Sequence, residues 1–212
     1  MSNIENFEAT NWDVQGNTIY LDRHDPNCGN KKGMTKWHLT HNGKGKVRVN
    51  YGCVDDHRSG NAVNHYTGWN DSGGNNHIFM DRHNVDCGHK AITNMKWSHN
   101  GKKGRKFKVR FNYKCGTSAG KDCEEKSTKA DEIGNNYIYL DRHNVTCPQG
   151  KYLSRWKLQN AGGNKMRVDY RCCAPTELPQ ARPEPKPLVQ QEAADDDAPV
   201  AESSGGGFCT IL

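Results

Sequence analysis

The chain has 212 residues, of which 33% are hydrophobic, and its mean hydropathy is −1.01. No apolar run approaches the ~20 residues of a membrane-spanning helix, and residues 1–13 lack the basic and apolar regions of a signal peptide, so the sequence predicts synthesis in the cytosol. Residues 174–212 carry seven acids and two bases, a net charge of −5. Because the whole chain has a net charge of +6, residues 1–173 carry +11. This basic body predicts attraction to anionic surfaces, unless its charges only keep exposed strands soluble.

One motif occurs three times, and each copy contains Asp-Arg-His after an Ile-aromatic-Leu or Ile-aromatic-Met stretch. The aspartates are 59 and 60 residues apart, and a fixed period of this kind predicts a repeat architecture. A tryptophan and then a Tyr-x-Cys follow each triplet at similar distances. The units span residues 7–54, 65–117 and 127–173. Their triplets are Asp22-Arg23-His24, Asp81-Arg82-His83 and Asp141-Arg142-His143, and their tryptophans are Trp37, Trp97 and Trp156. The three tryptophans are expected to be mostly buried and equivalent under a threefold rotation.

The predicted elements of each unit are four short strands. Phe7 to Trp12, and Tyr66 to Trp69 in unit two, suggest the first strand, with Gly16, Gly74 and Gly134 in the turns that follow. The Ile-aromatic-Leu stretch predicts a buried strand, and the tryptophan segment a third. The last strand alternates between apolar and polar residues with period two. Hairpin turns are predicted at Asn42-Gly43, Asn100-Gly101 and Gly162-Gly163.

These elements predict an all-β domain over residues 1–173 with about twelve strands and pseudo-threefold symmetry. The architecture expected is a β-trefoil or a β-prism, and the sequence does not distinguish the two. One unit alone has open strand edges, so we expect a single domain rather than three. Residues 174–208 are rich in proline, acids and glycine, and they predict a disordered tether.

The chain ends in Cys209-Thr210-Ile211-Leu212, which resembles the CaaX box of prenylated proteins. A final leucine is the type associated with geranylgeranyl transfer. The resemblance implies a thioether lipid and a methyl ester on Cys209, and a lipid anchor on the cytoplasmic side of a membrane. One isoprenoid binds a membrane only marginally, so the basic body is expected to supply a second signal.

Six of the nine cysteines recur in pairs, one pair in each unit: Cys28 and Cys53, Cys87 and Cys115, Cys147 and Cys172. In a secreted chain they predict three disulfides, with Cys123 and Cys173 as a fourth, and two glycosylation acceptors at Asn70 and Asn144. In the reducing cytosol that prenylation implies, they predict reduced, buried thiols instead, which is the interpretation favoured here. His24, Cys28 and Cys53 could supply three ligands to zinc, but a histidine four residues before a cysteine is a weak signal for a zinc site and no CxxC pair is present. No metal or other cofactor is therefore predicted.

The nine residues of the Asp-Arg-His triplets are the candidate ligand-binding residues. The alternative is structural: an Asp–Arg pair that ties one element to its neighbour. Threefold repetition argues against a single tuned catalytic centre, and phosphate-loop and G-x-S-x-G motifs are absent, so no enzyme activity is expected.

A basic face is predicted on the solvent side of the three last strands. Its residues are Lys46 and Arg48, Lys108 and Arg110, and Lys165 and Arg167. The leading hypothesis is a non-catalytic, prenyl-anchored binding module whose partners are the membrane and an anionic lipid headgroup or a carbohydrate. The alternatives are a lectin-like protein with three equivalent sites and a basic protein that binds nucleic acid or the cytoskeleton, although no specific nucleic-acid recognition is expected.

Overall fold

Fourteen β-strands in three antiparallel sheets are found in the described part of the computed structural model, residues 5–73, 76–101 and 108–176. The all-β class predicted from the sequence is confirmed. The described residues belong to one compact unit, and none of their helices is long and apolar enough to cross a membrane. The predicted C-terminal box and all but the first three residues of the predicted tether lie outside this described part.

Each unit contains a first strand, a two-residue strand, a 3-10 helix and a long hairpin. Unit one comprises β1 (Asn6–Ala9), β2 (Asp13–Val14), the helix Thr18–Arg23, β3 (Lys32–His41) and β4 (Lys46–Asp55). Unit two comprises β5 (Val63–Tyr66), β6 (Asn70–Asp71), the helix His77–Arg82, β7 (Val85–Asp86), β8 (Lys90–His99) and β9 (Lys108–Ala119). Unit three comprises β10 (Lys121–Ser127), β11 (Asp131–Glu132), the helix Tyr137–Arg142, β12 (Val145–Thr146), β13 (Tyr152–Gly162) and β14 (Lys165–Ala174).

The Ile-aromatic-Leu stretch forms a 3-10 helix in all three units, so the buried strand predicted there is wrong. In unit one the Asn17 side chain accepts a hydrogen bond from the Ile19 N–H and caps the helix. Three residues per turn then place Thr18 and Leu21 on the same buried side. The ring of Tyr20 packs on Gly16, where an added Cβ would lie 2.4 Å from a ring carbon. Asparagine caps and buried pairs recur in the other two helices.

The segments after the 3-10 helices connect the units to one another. β12 of unit three pairs with β3 of unit one, where Val145 lies opposite Trp37. β7 of unit two pairs with β13 of unit three, where Val85 lies opposite Trp156. The corresponding segment of unit one makes a single bridge from Asn27 to β8 of unit two. Each unit is therefore paired with both others, and two of the three sheets include a strand from another unit.

Four disulfides link the eight cysteines of the described part, so the expectation of reduced thiols is wrong for these residues. Three of them join the segment after a 3-10 helix to the last strand of the same unit. The fourth joins β10 to the end of β14. The pairs are Cys28–Cys53, Cys87–Cys115, Cys147–Cys172 and Cys123–Cys173. The first of these uses two of the three ligands considered for zinc, which removes that alternative.

The three tryptophans are buried in the core as expected, but only two of them occupy equivalent positions. Trp37 and Trp156 each lie opposite the tyrosine of the last strand of their unit. In unit two, Met95 takes that position, and Trp97 lies two residues later, opposite Phe111. The predicted equivalence of Trp97 with the other two is therefore wrong by two residues. The volume lost at Met95 is compensated by the large Trp97–Phe111 pair, whose ring centroids are 4.7 Å apart.

Candidate functional site

The histidines of the three triplets are enclosed by protein and have structural contacts. His24 Nδ1 lies 2.8 Å from the Thr10 hydroxyl, and the same Thr10 oxygen accepts from the Val49 N–H at 3.0 Å. The Thr10 hydroxyl therefore bridges the His24 ring and the Val49 backbone. Units two and three repeat the arrangement with His83, Thr67 and Phe111, and with His143, Thr128 and Val168.

Burial disfavours the charged form of these histidines. It lowers the pKa of His24 and His143, and it lowers the pKa of His83 to about 4. All three side chains are at most 2% exposed. A dissolved ligand cannot reach them, so the proposed ligand contacts of His24, His83 and His143 are corrected to a role in joining the first strand to the last strand of each unit.

The arginines of the triplets lie over the aromatic ring three residues earlier. The guanidinium carbons of Arg23, Arg82 and Arg142 are 4.2, 4.0 and 4.3 Å from the ring centroids of Tyr20, Phe79 and Tyr139. Arg23 also pairs with Asp13 at 2.7 Å, and Arg142 pairs with Asp131 at 2.7 Å. These pairs lower the pKa of both aspartates. Unit two has Asn70 at the corresponding position, so Arg82 has no such carboxylate.

The aspartates of the triplets lie at the junctions between units. Asp22 contacts His99 Nε2 of unit two at 3.1 Å, and Asp141 contacts His41 Nε2 of unit one at 3.1 Å. At the junction of units two and three, the residue in the histidine position is Asn160. Asp81, Arg82 and Asn160 line an open cleft of about 200 Å³ there. Of the nine predicted ligand-binding residues, Asp81 and Arg82 line this open cleft.

The six residues of the predicted basic face lie in three different sheets, and the contacts of the arginine differ between the units. Arg48 lies over the ring of Trp12 at 4.5 Å. Arg110 lies over Trp69 at 4.3 Å and over Tyr66 at 4.7 Å. Arg167 instead pairs with Asp169 at 2.9 Å. The three lysines, Lys46, Lys108 and Lys165, are exposed at the beginnings of the same strands.

Exposed aromatic side chains beside these arginines were not predicted as functional residues. Trp12 and Trp69 immediately precede β2 and β6, and they are 39% and 37% exposed. Phe7 and Tyr66 are 66% and 68% exposed. A groove of about 400 Å³ lies beside Phe7 in unit one, and its walls include Lys36, Arg48, Asn50 and Tyr51. The available sequence signal was that Trp12 and Trp69 lie outside the repeated tryptophan positions, Trp37, Trp97 and Trp156.

Unit three lacks this aromatic surface. Trp12 and Trp69 precede Asp13 and Asn70, which pair with the second residue of the last strand. The residue before the corresponding Asp131 is Ala130. We refer to Trp12 with Arg48, and to Trp69 and Tyr66 with Arg110, as the aromatic–arginine faces. They occur in units one and two and make these two units different from unit three.

No group of three or more metal-ligating side chains is arranged to hold an ion within residues 5–73, 76–101 and 108–176. The lipidation candidate Cys209 lies outside those residues. A scan of protein-family models, a search of curated proteins and a search of solved structures each found no match for the chain.

Proposed function

We propose that this protein is a non-catalytic binding module that recognises acidic carbohydrate through its two aromatic–arginine faces. The observation that carries the proposal is the recurrence of the same pair, an exposed tryptophan under a half-buried arginine, in units one and two. A tryptophan offers an apolar surface to the C–H groups of a sugar ring. An arginine donates hydrogen bonds to carboxylate or sulfate groups, and it does so with fixed geometry.

Charge and compartment support an acidic carbohydrate over other polyanions. Residues 1–173 carry a net +11, and Lys46 and Lys108 extend each face. Four disulfides in the described part favour an oxidising compartment, where acidic glycans are abundant and nucleic acids are not the usual partners. The ligand is thus expected to bind by combined charge and stacking, with affinity that falls as salt rises.

The fold we propose is a β-prism with pseudo-threefold symmetry, one sheet for each unit. Each of two sheets takes one strand from a different unit, and a bridge joins the remaining pair of units. Support also comes from Gly33, Ala91 and Tyr152, which precede equivalent strand positions and meet at one point: a Cβ on Gly33 would lie 2.6 Å from the Tyr152 Cβ and 3.0 Å from the Ala91 Cβ. Separate sheets fit a prism better than a trefoil, which closes its strands into one barrel.

Binding of the full chain to dextran sulfate, with neutral dextran as the reference, tests the proposed function. Trp12→Ala with Trp69→Ala leaves the net charge unchanged, and we expect it to weaken binding about tenfold, or about 1.4 kcal/mol. Arg48→Gln with Arg110→Gln should weaken binding further. The matched control is Lys165→Gln with Arg167→Gln, which removes the same charge from unit three and should have a smaller effect.

Two results would contradict this proposal. Equal loss in the unit-three control would show that net charge alone drives binding. Tighter binding of single-stranded DNA than of dextran sulfate at the same salt would favour the nucleic-acid alternative, because aromatic and basic surfaces also suit stacked bases.

A second candidate function is the lipid-anchored module at the cytoplasmic face of a membrane, which the terminal Cys209-Thr210-Ile211-Leu212 favours. This candidate and the disulfides predict opposite compartments. The intact mass of protein from its native source distinguishes them, because it reports the lipid, the loss of residues 210–212 and the disulfide hydrogens together. With a lipid present, Cys209→Ser should move the protein from the membrane to the soluble fraction. An unmodified Cys209 would dismiss the anchor.

A further inference from the structure

The cleft at the junction of units two and three is a second candidate site, lined by other residues than the aromatic–arginine faces. It lies between the 3-10 helix His77–Arg82 and the end of β13. Its volume is about 200 Å³, and it is lined by Ile78, Phe79, Asp81, Arg82 and Asn160. A pocket for a drug-sized ligand holds roughly 300–1,000 Å³, so this cleft suits a single small ring rather than a long segment.

At the other two junctions, a histidine of the adjoining unit contacts the aspartate of the triplet. His41, His99 and Asn160 occupy the same register, because each lies opposite the second residue of the last strand, Val47, Val109 and Met166. His99 contacts Asp22, and His41 contacts Asp141, each in the adjoining unit and each at 3.1 Å. Asparagine has a shorter side chain and no charge. With Asn160 in that register, Asp81 faces an open cleft.

The arginine of this junction differs in the same way. Asp13, Asn70 and Asp131 also occupy one register, opposite those same last-strand residues. Asp13 pairs with Arg23 and Asp131 pairs with Arg142, both at 2.7 Å. Asn70 offers no charge, and no carboxylate pairs with Arg82 in the part of the chain that the structure describes. Two asparagines, far apart in sequence, thus leave Asp81 and Arg82 without the protein partners seen at the other junctions, within the part of the chain that the structure describes.

We propose that this cleft binds a sugar acid, a single pyranose ring with one carboxylate. Arg82 is held over the Phe79 ring at 4.0 Å, which orders its guanidinium for a two-point bond to a carboxylate. Asp81 only accepts hydrogen bonds when ionised, so it needs a donor such as a pair of hydroxyls. The carboxamide of Asn160 both donates and accepts, which suits a further hydroxyl. The sugar acid matches all three groups, and the inference does not depend on the aromatic–arginine faces.

Calorimetric titration of the full chain with glucuronate tests the site. We expect one site per chain, weaker binding of glucose because it lacks the carboxylate, and no binding of alanine in the same range. Asn160→His restores the residue of the other junctions and should lower the affinity about tenfold or more, since it gives Asp81 a protein partner. Arg82→Gln should remove the preference for glucuronate over glucose.

A gain-of-site variant keeps the test decisive if Asn160→His disturbs the fold. Asp13→Asn with His99→Asn gives the junction of units one and two the same pair of asparagines. The expected result is a stoichiometry of two glucuronates per chain. Three results would overturn the proposal. They are a stoichiometry of one in this variant, an affinity for glucose equal to that for glucuronate, and binding of the free amino acid alanine in place of glucuronate.

A second titration arm distinguishes a free sugar acid from the end of a chain. An oligosaccharide that ends in glucuronate should compete with free glucuronate if the cleft reads terminal residues. An oligosaccharide with only internal glucuronate should not compete, because the cleft holds one ring. Competition by the internal residue would contradict the size argument. The aromatic–arginine variants serve as a further control, since loss of dextran sulfate binding there should leave glucuronate binding at the cleft unchanged.

Discussion

Acidification from pH 7 to pH 5 is predicted to destabilise the protein through histidines buried in the neutral form. Burial lowers the pKa of His77 and of His83 to about 4. The pKa of an unfolded histidine is about 6.5. Between pH 6.5 and pH 4 the unfolded chain therefore binds more protons than the folded chain, and the free energy of unfolding falls as the pH falls.

The magnitude follows from the two pKa values. A histidine with pKa 6.5 unfolded and about 4 folded contributes a loss of about 2 kcal/mol between pH 7 and pH 5. His77 and His83 together give about 4 kcal/mol, and the lowered pKa values of His24 and His143 act in the same direction. A whole domain is stabilised by only about 5–15 kcal/mol, so the effect is large.

Urea unfolding followed by tryptophan fluorescence, at pH 7, 6 and 5 with the disulfides intact, measures this slope. His83→Asn keeps a hydrogen-bonding group beside the Thr67 hydroxyl but does not titrate. The loss in its free energy of unfolding between pH 7 and pH 5 should therefore be smaller by about 2 kcal/mol than in the parent chain. The comparison with the parent chain cancels the contributions of all groups that the two chains share. An unchanged slope in His83→Asn would refute the assignment.

Two further predictions concern stability. Replacing Cys28 and Cys53 with alanine opens a loop with a sequence separation of 25 residues and should lower the free energy of unfolding, measured with denaturant, by about 3 kcal/mol. Under conditions that reduce the disulfides of the parent chain, the variant and the parent should be equally stable. Gly33→Ala places a Cβ 2.6 Å from the Tyr152 Cβ and should cost about 1–3 kcal/mol, whereas Gly68→Ala, with open space around it, should be close to neutral; equal effects would contradict the packing described.

The last strand of each unit was predictable because its physical signal is strong. Alternation with period two holds over Val47, Val49, Tyr51 and Cys53 in unit one, and these side chains are buried in β4 as predicted. The repeat itself made the all-β assignment firm, since three copies of a weak pattern agree. The cysteine pairs were also identified, and the expectation of reduced thiols failed because it was taken from the C-terminal box and not from the pairs themselves.

The 3-10 helices were not predictable from hydrophobicity. Three consecutive apolar residues such as Ile19, Tyr20 and Leu21 fit a buried strand and one helical turn equally well. The deciding features are the Asn17 cap and the close fit of a ring on Gly16, and both depend on local geometry. The shift of Trp97 by two residues was equally hidden. The stretch from Cys87 to Ile92 is one residue shorter than its counterparts in the other units, while Trp97 lies one residue further from its Asp.

The candidate sites follow from differences between the repeats and not from what the repeats share. Residues common to all three units, such as the buried histidines, hold the strands of each unit together. Surface function appears where one unit departs from the others: aromatic rings in units one and two, and the pair Asn70 and Asn160 around Asp81 and Arg82. A charged group that has a protein partner in two copies, but none among the described residues of the third, is available to a ligand of opposite charge. This is why the unit two–three cleft is the best place to look for a ligand.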